Sequence, residues 1–157
     1  MQIRLACVED GIENYGFRKV SSFIKSIHPQ TKITYIPTGN LRSILKVLTE
    51  KGAGDLMDKD ILAVAQFLVE GDLIGFSSMT QYSKTVHQII AKIRHINPKS
   101  YIVWGGIHAI VNPEDAIKHA DAVCTGEGGF SFKNFLELFK SVKDYTIASG
   151  FWFRKGN

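Results

Sequence analysis

Five short apolar runs, Ile3–Val8, Lys32–Ile36, Leu73–Phe76, Tyr101–Trp104 and Ala122–Cys124, punctuate the chain, and the stretch between each pair is long enough to hold a helix. The runs are rich in β-branched and aromatic residues and read as strands. The segments between them carry the helical period: Phe17, Val20, Ile24 and Ile27 form one stripe, Tyr82, Val86, Ile89, Ile90 and Ile93 a second, and Phe132, Phe135, Leu136 and Phe139 a third, all at spacings of three and four. Strands alternating with helices imply a parallel sheet with right-handed crossovers and helices on both faces. The expected architecture is α/β: a flavodoxin-like (Rossmann-like), doubly wound sheet of five parallel strands in the order 2-1-3-4-5.

Local signals mark the boundaries. Asn112-Pro113-Glu114-Asp115 supplies a capping side chain, a proline at the first helical position and two acids against the helix dipole, so a helix through His119 starts after a short loop from Gly106. Asn97-Pro98 stops the helix before it. Between strands two and three lie two weaker helical patterns, Leu41 to Lys51 and Asp58 to Val69, hinged at Gly52-Ala53-Gly54.

With 157 residues, 45% of them hydrophobic, the chain can bury one good core but not two, so residues 1–150 read as a single domain. Phe151 to Asn157 reads as a short strand running into a turn, the start of a connection to a domain that is not here. The net charge of +4 is spread over 19 basic and 15 acidic residues without a run of one sign, which argues against a nucleic-acid or membrane arm. Cys7 and Cys124 both lie inside apolar runs and read as reduced, buried thiols. No signal sequence or membrane-length apolar run is visible, so the expected location is cytoplasmic.

In an open parallel sheet, ligands bind outside the carboxyl ends of the strands. Four loops reach that rim: Glu9 to Gly16, Ser77 to Thr80, Gly105 to His108 and Gly126 to Gly129. The first lacks the G-x-G-x-x-G dinucleotide fingerprint and the Ser/Thr-rich phosphate loop of a flavodoxin. A phosphoacceptor receiver would need an aspartate after strand three, where this chain has Ser77. The acids Glu9, Asp10 and Glu13 serve either a ligand or a solvated capping loop. Ser77, Ser78 and Thr80 offer hydroxyls to a ligand, although Thr80 or Ser83 could instead cap a helix. His108, two residues past a double glycine, reads as a loop side chain contacting a ligand without a metal, since no second ligating residue stands beside it in sequence. Gly126-Glu127-Gly128-Gly129 offers backbone donors ahead of a helix; read alone, it is equally a tight turn with Glu127 in solvent.

Taken in order, Gly71-Asp72-Leu73-Ile74-Gly75-Phe76-Ser77-Ser78-Met79-Thr80, Trp104-Gly105-Gly106-Ile107-His108-Ala109 and Asp121-Ala122-Val123-Cys124-Thr125-Gly126-Glu127-Gly128-Gly129 resemble the cobalamin-binding domain found at the amino terminus of many radical S-adenosylmethionine enzymes. The resemblance covers about residues 1 to 153. It implies that cobalamin is held with its nucleotide tail in the crevice of the sheet. The implied contacts come from Asp10, Gly11, Ile12 and Tyr15, from Ser77, Met79 and Thr80, from Gly105, Gly106 and His108, and from Gly126, Glu127 and Gly128.

Two departures bear on mechanism. Cobalamin mutases and methionine synthase carry Asp-x-His-x-x-Gly after strand one; counted from Asp10, this chain has Ile12 and Tyr15 at the histidine and glycine positions. The resemblance therefore implies base-off cobalamin without a protein histidine ligand, with Ile12 and Tyr15 toward the lower side of the corrin. The Cys-x3-Cys-x2-Cys that holds a [4Fe–4S] cluster cannot be built from Cys7 and Cys124. S-adenosylmethionine and the cluster would belong to a carboxyl-terminal radical domain of the parent chain, of methyltransferase or anaerobic porphyrin-ester cyclase type, and this chain alone is expected to be non-catalytic. The alternatives are a cofactor-free flavodoxin-like signalling or interaction domain and a small flavin or nucleotide binder.

Overall fold

The computed structural model describes residues 1–9, 14–38, 56–141 and 143–155. In chain order the elements are β1 (Ile3–Val8), α1 (Tyr15–Ile27), β2 (Lys32–Ile36), α2 (Asp58–Leu68), β3 (Leu73–Ser78), α3 (Ser83–Ile96), β4 (Tyr101–Gly105), α4 (Ile107–Val111), α5 (Pro113–His119), β5 (Ala122–Cys124), α6 (Gly128–Lys140) and β6 (Phe151–Phe153). The helix expected over Leu41 to Lys51 and its glycine hinge lie outside the described residues. Among the described residues, no helix is long and apolar enough to cross a membrane.

The sheet runs β2-β1-β3-β4-β5-β6. Its first five strands are parallel, in the expected order. The count of five is corrected to six, because Phe151–Phe153 adds an antiparallel edge strand on β5, with Val123 opposite Trp152. Three residues of β5 would otherwise leave an open row of backbone groups. Gly150, at φ +78°, turns the chain back into register. Arg154 then donates hydrogen bonds to the carbonyls of Ile117, Lys118 and Ala120 at the end of α5, a favoured place for a cation.

Several starts and stops follow from single side chains. Asn14 Oδ1 accepts from the Phe17 N–H at 2.7 Å and begins α1. Pro113 opens α5 with Glu114 and Asp115 in its first turn, as the sequence suggests, but the Asn112 side chain makes no capping bond. The loop expected between Gly106 and Asn112 is instead the short helix α4. Neither Thr80 nor Ser83 caps a helix; Met79 precedes a single 3-10 turn over Thr80–Tyr82, and Tyr82 precedes α3.

Alternation along the strands sends side chains to two separate cores. Ala6, Val8, Ile74, Phe76, Ile102, Trp104 and Val123 pack with α2, α3 and α5. Leu5, Cys7, Leu73, Val103, Ala122 and Cys124 pack with Phe17 and Ile24 of α1 and Phe132, Phe135 and Leu136 of α6. On this second face Phe135 stacks on Phe151 of the added strand with ring centroids 4.8 Å apart, so β6 completes the aromatic end of that core.

Candidate functional site

A cleft of about 340 Å³ lies on the α1/α6 face of the sheet. Its floor is Leu5 of β1, Gly75 and Ser77 of β3, Val103 and Gly105 of β4, and Cys124 of β5; Gly16, Phe17 and Val20 of α1 form one wall and Gly128 and Phe132 of α6 the other. Gly106, Ile107 and Ile110 close it on the α4 side. The hollow exists because two inward positions on the central strands carry no side chain. A Cβ on Gly75 would stand 2.7 Å from Leu5 Cδ2, too close without a shift of that side chain, whereas on Gly105 the nearest atom would be at 3.7 Å, an ordinary van der Waals contact. Glycine inside a strand is the expected mark of a close approach.

Gly106 has a different reason to be glycine. Its φ is +87°, and a Cβ there would stand 2.8 Å and 2.9 Å from the backbone N and O of Ser78. The double glycine thus divides its work: Gly105 leaves room, and Gly106 lets α4 start hard against the end of β3.

The Gly126 turn is less free than the sequence suggests. The N–H groups of Thr125 and Gly126 both donate to the Gly150 carbonyl, at 2.9 and 3.0 Å. The Glu127 carboxylate, rather than standing in solvent alone, accepts from the Phe130 N–H at 3.0 Å and caps α6.

Of the residues the resemblance singled out, Ser77, Gly105, Gly106, Gly126 and Gly128 line the cleft. Tyr15, Met79, Thr80 and Glu127 are exposed beyond the carboxyl ends of the strands without lining it. Asp10, Gly11 and Ile12 lie outside the described residues. Next to that segment, Asn14 Nδ2 donates to Glu9 Oε1, and burial raises the Glu9 carboxyl above its ordinary value, an effect partly offset by this bond. Ser78, offered as a ligand group, points to the other face, where its Oγ accepts from Trp104 Nε1 at 3.1 Å.

His108 is the largest displacement from expectation. It lies in α4, not a loop, and is 1% exposed, with its ring against Trp104 and its Nε2 3.1 Å from Asp115 Oδ2. Nor is it alone: His87 Nε2 stands 3.3 Å from the same oxygen, and the His119 ring stacks on His87 with centroids 3.8 Å apart. Burial lowers the pKa of both His87 and His119, and the neighbouring cationic forms add to the effect at His87. As sequence alone, His87 and His119 read as surface helix or turn residues, and with 28 positions between His87 and Asp115 and 32 between His87 and His119 nothing hints at contact; the crossover from α3 through β4 to α5 brings them together on the face opposite the cleft.

The cleft itself is built for an apolar ligand part. Desolvation pushes the Cys124 thiol up to about 11 and the Cys7 thiol up to about 12, so both are neutral near pH 7 and neither is a thiolate nucleophile. The sequence reading missed Gly75 as a site residue, although a glycine in the middle of a central strand was the available signal. It also missed Phe17, Val20 and Phe132, whose helical stripes mark them only as core; they are both core and cleft wall.

Comparison with known proteins gives one family. The model described as the B12 binding domain matches residues 37–136, from the end of β2 to α6. No curated protein matches the chain.

Proposed function

This chain belongs to the family of B12-binding domains, and we propose that it holds cobalamin base-off, without a protein histidine on cobalt, as the cofactor module of a radical S-adenosylmethionine enzyme. The observation that carries the reading is the glycine-floored apolar cleft at Gly75 and Gly105, opening on the side where α/β sheets bind ligands. An empty cradle that a Cβ would fill suits a flat, apolar group such as the benzimidazole end of the nucleotide tail. Ser77 supplies a hydroxyl beside it. The exposed apolar side chains nearby, with Tyr15 81%, Phe130 74% and Ile110 50% exposed, offer a surface for the corrin that would otherwise face water.

When bound, cobalamin supplies a cobalt centre that takes up and hands on an alkyl group; the protein binds and orients it. Ile12, standing where the cobalt-ligating histidine of other cobalamin proteins stands, is the reason for reading the lower face as unligated. The radical chemistry, of methyltransferase or anaerobic porphyrin-ester cyclase type, then falls to a domain with the cluster-binding cysteines that this chain lacks.

The test is to mix the protein with hydroxocobalamin, desalt it and record the visible spectrum of the protein fraction. Retained base-off absorbance is expected, and Gly105→Val should abolish it while circular dichroism stays unchanged, because the first side-chain carbon meets its neighbours only at ordinary contact distances of 3.7 Å and beyond. A colourless wild-type fraction would overturn cofactor binding by this chain. A base-on or histidine-ligated spectrum would keep the cofactor and overturn the unligated lower face.

A further inference from the structure

On the sheet face away from the cleft, we propose that His87, Asp115 and His119 form a binding site for a borderline divalent transition-metal ion, with zinc as the best match, independent of cobalamin. The proposal starts from geometry. One donor atom from each residue lies within 4.8 Å of the other two. Asp115 and His119 are four apart on α5 and so share a helix face, while His87 comes from α3. Donors about 2.0–2.1 Å from a tetrahedral metal stand about 3.3–3.4 Å from one another. The His87 Nε2 to Asp115 Oδ2 separation is 3.3 Å.

The surroundings fit a coordination site better than a chance meeting of polar side chains. His87 Nε2 is buried and faces the Asp115 carboxylate without well-formed hydrogen-bond geometry. The His87 and His119 rings stack with centroids 3.8 Å apart, which sets both imidazoles beside the one carboxylate. A shared cation would use one nitrogen lone pair from each ring together with the carboxylate between them. His108 then acts as an outer partner. Its Nε2 lies 3.1 Å from Asp115 Oδ2 and holds the carboxylate in place, as outer partners orient metal-ligating groups elsewhere.

The donor set selects the ion. Two imidazoles and one carboxylate suit zinc, cobalt, nickel or copper and not magnesium or calcium, which need more oxygen donors. All three ligands are partly exposed, so water can reach the site and fill the remaining position. Bound there, the ion would tie α3 to α5.

The test uses the chain after dialysis against a chelator, titrated with zinc chloride in a calorimeter and, separately, with nickel chloride while tryptophan fluorescence is followed. One equivalent of zinc should bind saturably. Nickel should quench Trp104, whose ring lies 5.2 Å from that of His87. His119→Ala should weaken zinc by roughly tenfold or more with unchanged circular dichroism, His87→Ala should do the same, and His95→Ala, on the exposed side of α3, should change nothing. The proposal is overturned if the wild-type chain takes up no zinc, if His119→Ala binds it as well as the wild type, or if His95→Ala removes binding. Saturation by magnesium chloride at the same concentrations would also overturn it.

Discussion

The two faces of the sheet are made by the same strands and end up doing opposite things. On the α2/α3/α5 side, alternate positions of β3 and β4 carry Ile74, Phe76, Ile102 and Trp104, all buried in one core. On the α1/α6 side the interleaved positions include Gly75 and Gly105, and the space becomes a cleft. The difference lies in one atom position on each of two strands. A cavity in this fold needs no loop insertion or separate domain: it follows from withholding side chains on one parity of the central strands while the other parity is filled. The closed face then carries the stability that the open face forgoes, because unfilled apolar volume loses both transfer energy and dispersion contacts.

That division is easiest to break at Trp104. Its side chain is 0% exposed and hydrogen-bonded to Ser78, so Trp104→Ala should cost about 3–5 kcal/mol in urea unfolding. A cost no larger than that of a surface substitution would mean that the closed face is not the mainstay of the fold. Next comes Gly106→Ala, which puts a side chain at φ +87° and against the Ser78 backbone, at a cost of about 1–3 kcal/mol, whereas Gly105→Val one residue earlier should leave unfolding nearly unchanged. If the two behaved alike, the separate roles of the adjacent glycines would be wrong.

The smallest effect is in alkali. Cys7 and Cys124 belong to the cleft face, and their folded pKa values are raised from an ordinary 9.0 to about 12 and about 11. A raised folded pKa means that the unfolded chain loses protons first, so this contribution to stability is complete below pH 9 and declines as pH rises toward the folded values. The melting temperature should therefore fall between pH 9 and pH 11, and Cys124→Ala should flatten the fall. An unchanged alkaline slope in that variant would show that the decline belongs to other groups.

The order of the parallel strands was legible because each strand is a β-rich run and each connection between them is long enough to hold a helix, with clear stripes at Phe17 to Ile27 and Tyr82 to Ile93. β6 was legible as a strand but not as part of the sheet: its partner is set by the left-handed turn at Gly150 and by Arg154 reaching α5, neither of which has a periodic signature. The rim was legible in outline, since Ser77, Gly105, Gly106, Gly126 and Gly128 come together at the cleft. What the residues could not show was parity. Whether Ser77 or Ser78 faces the cleft depends on strand register, and a one-residue shift exchanges the two faces. His108 was misplaced for a related reason: a five-residue helix is too short to leave a stripe, and its partner Asp115 was read only as an acid near a helix start.

The strand order has a consequence for how the chain can be made. Ile3 of β1 pairs with Leu73 of β3, so β1, which is made before β3, keeps one hydrogen-bonding edge without its native partner until residues up to Ser78 have followed it out of the ribosome. Pairing at such sequence separation is slow, since the entropy of closing the intervening chain must be met before the contact is made. During that interval β1, with all six of its residues destined for burial, is the segment most exposed to wrong partners, and it is where a nascent-chain chaperone would be expected to act first.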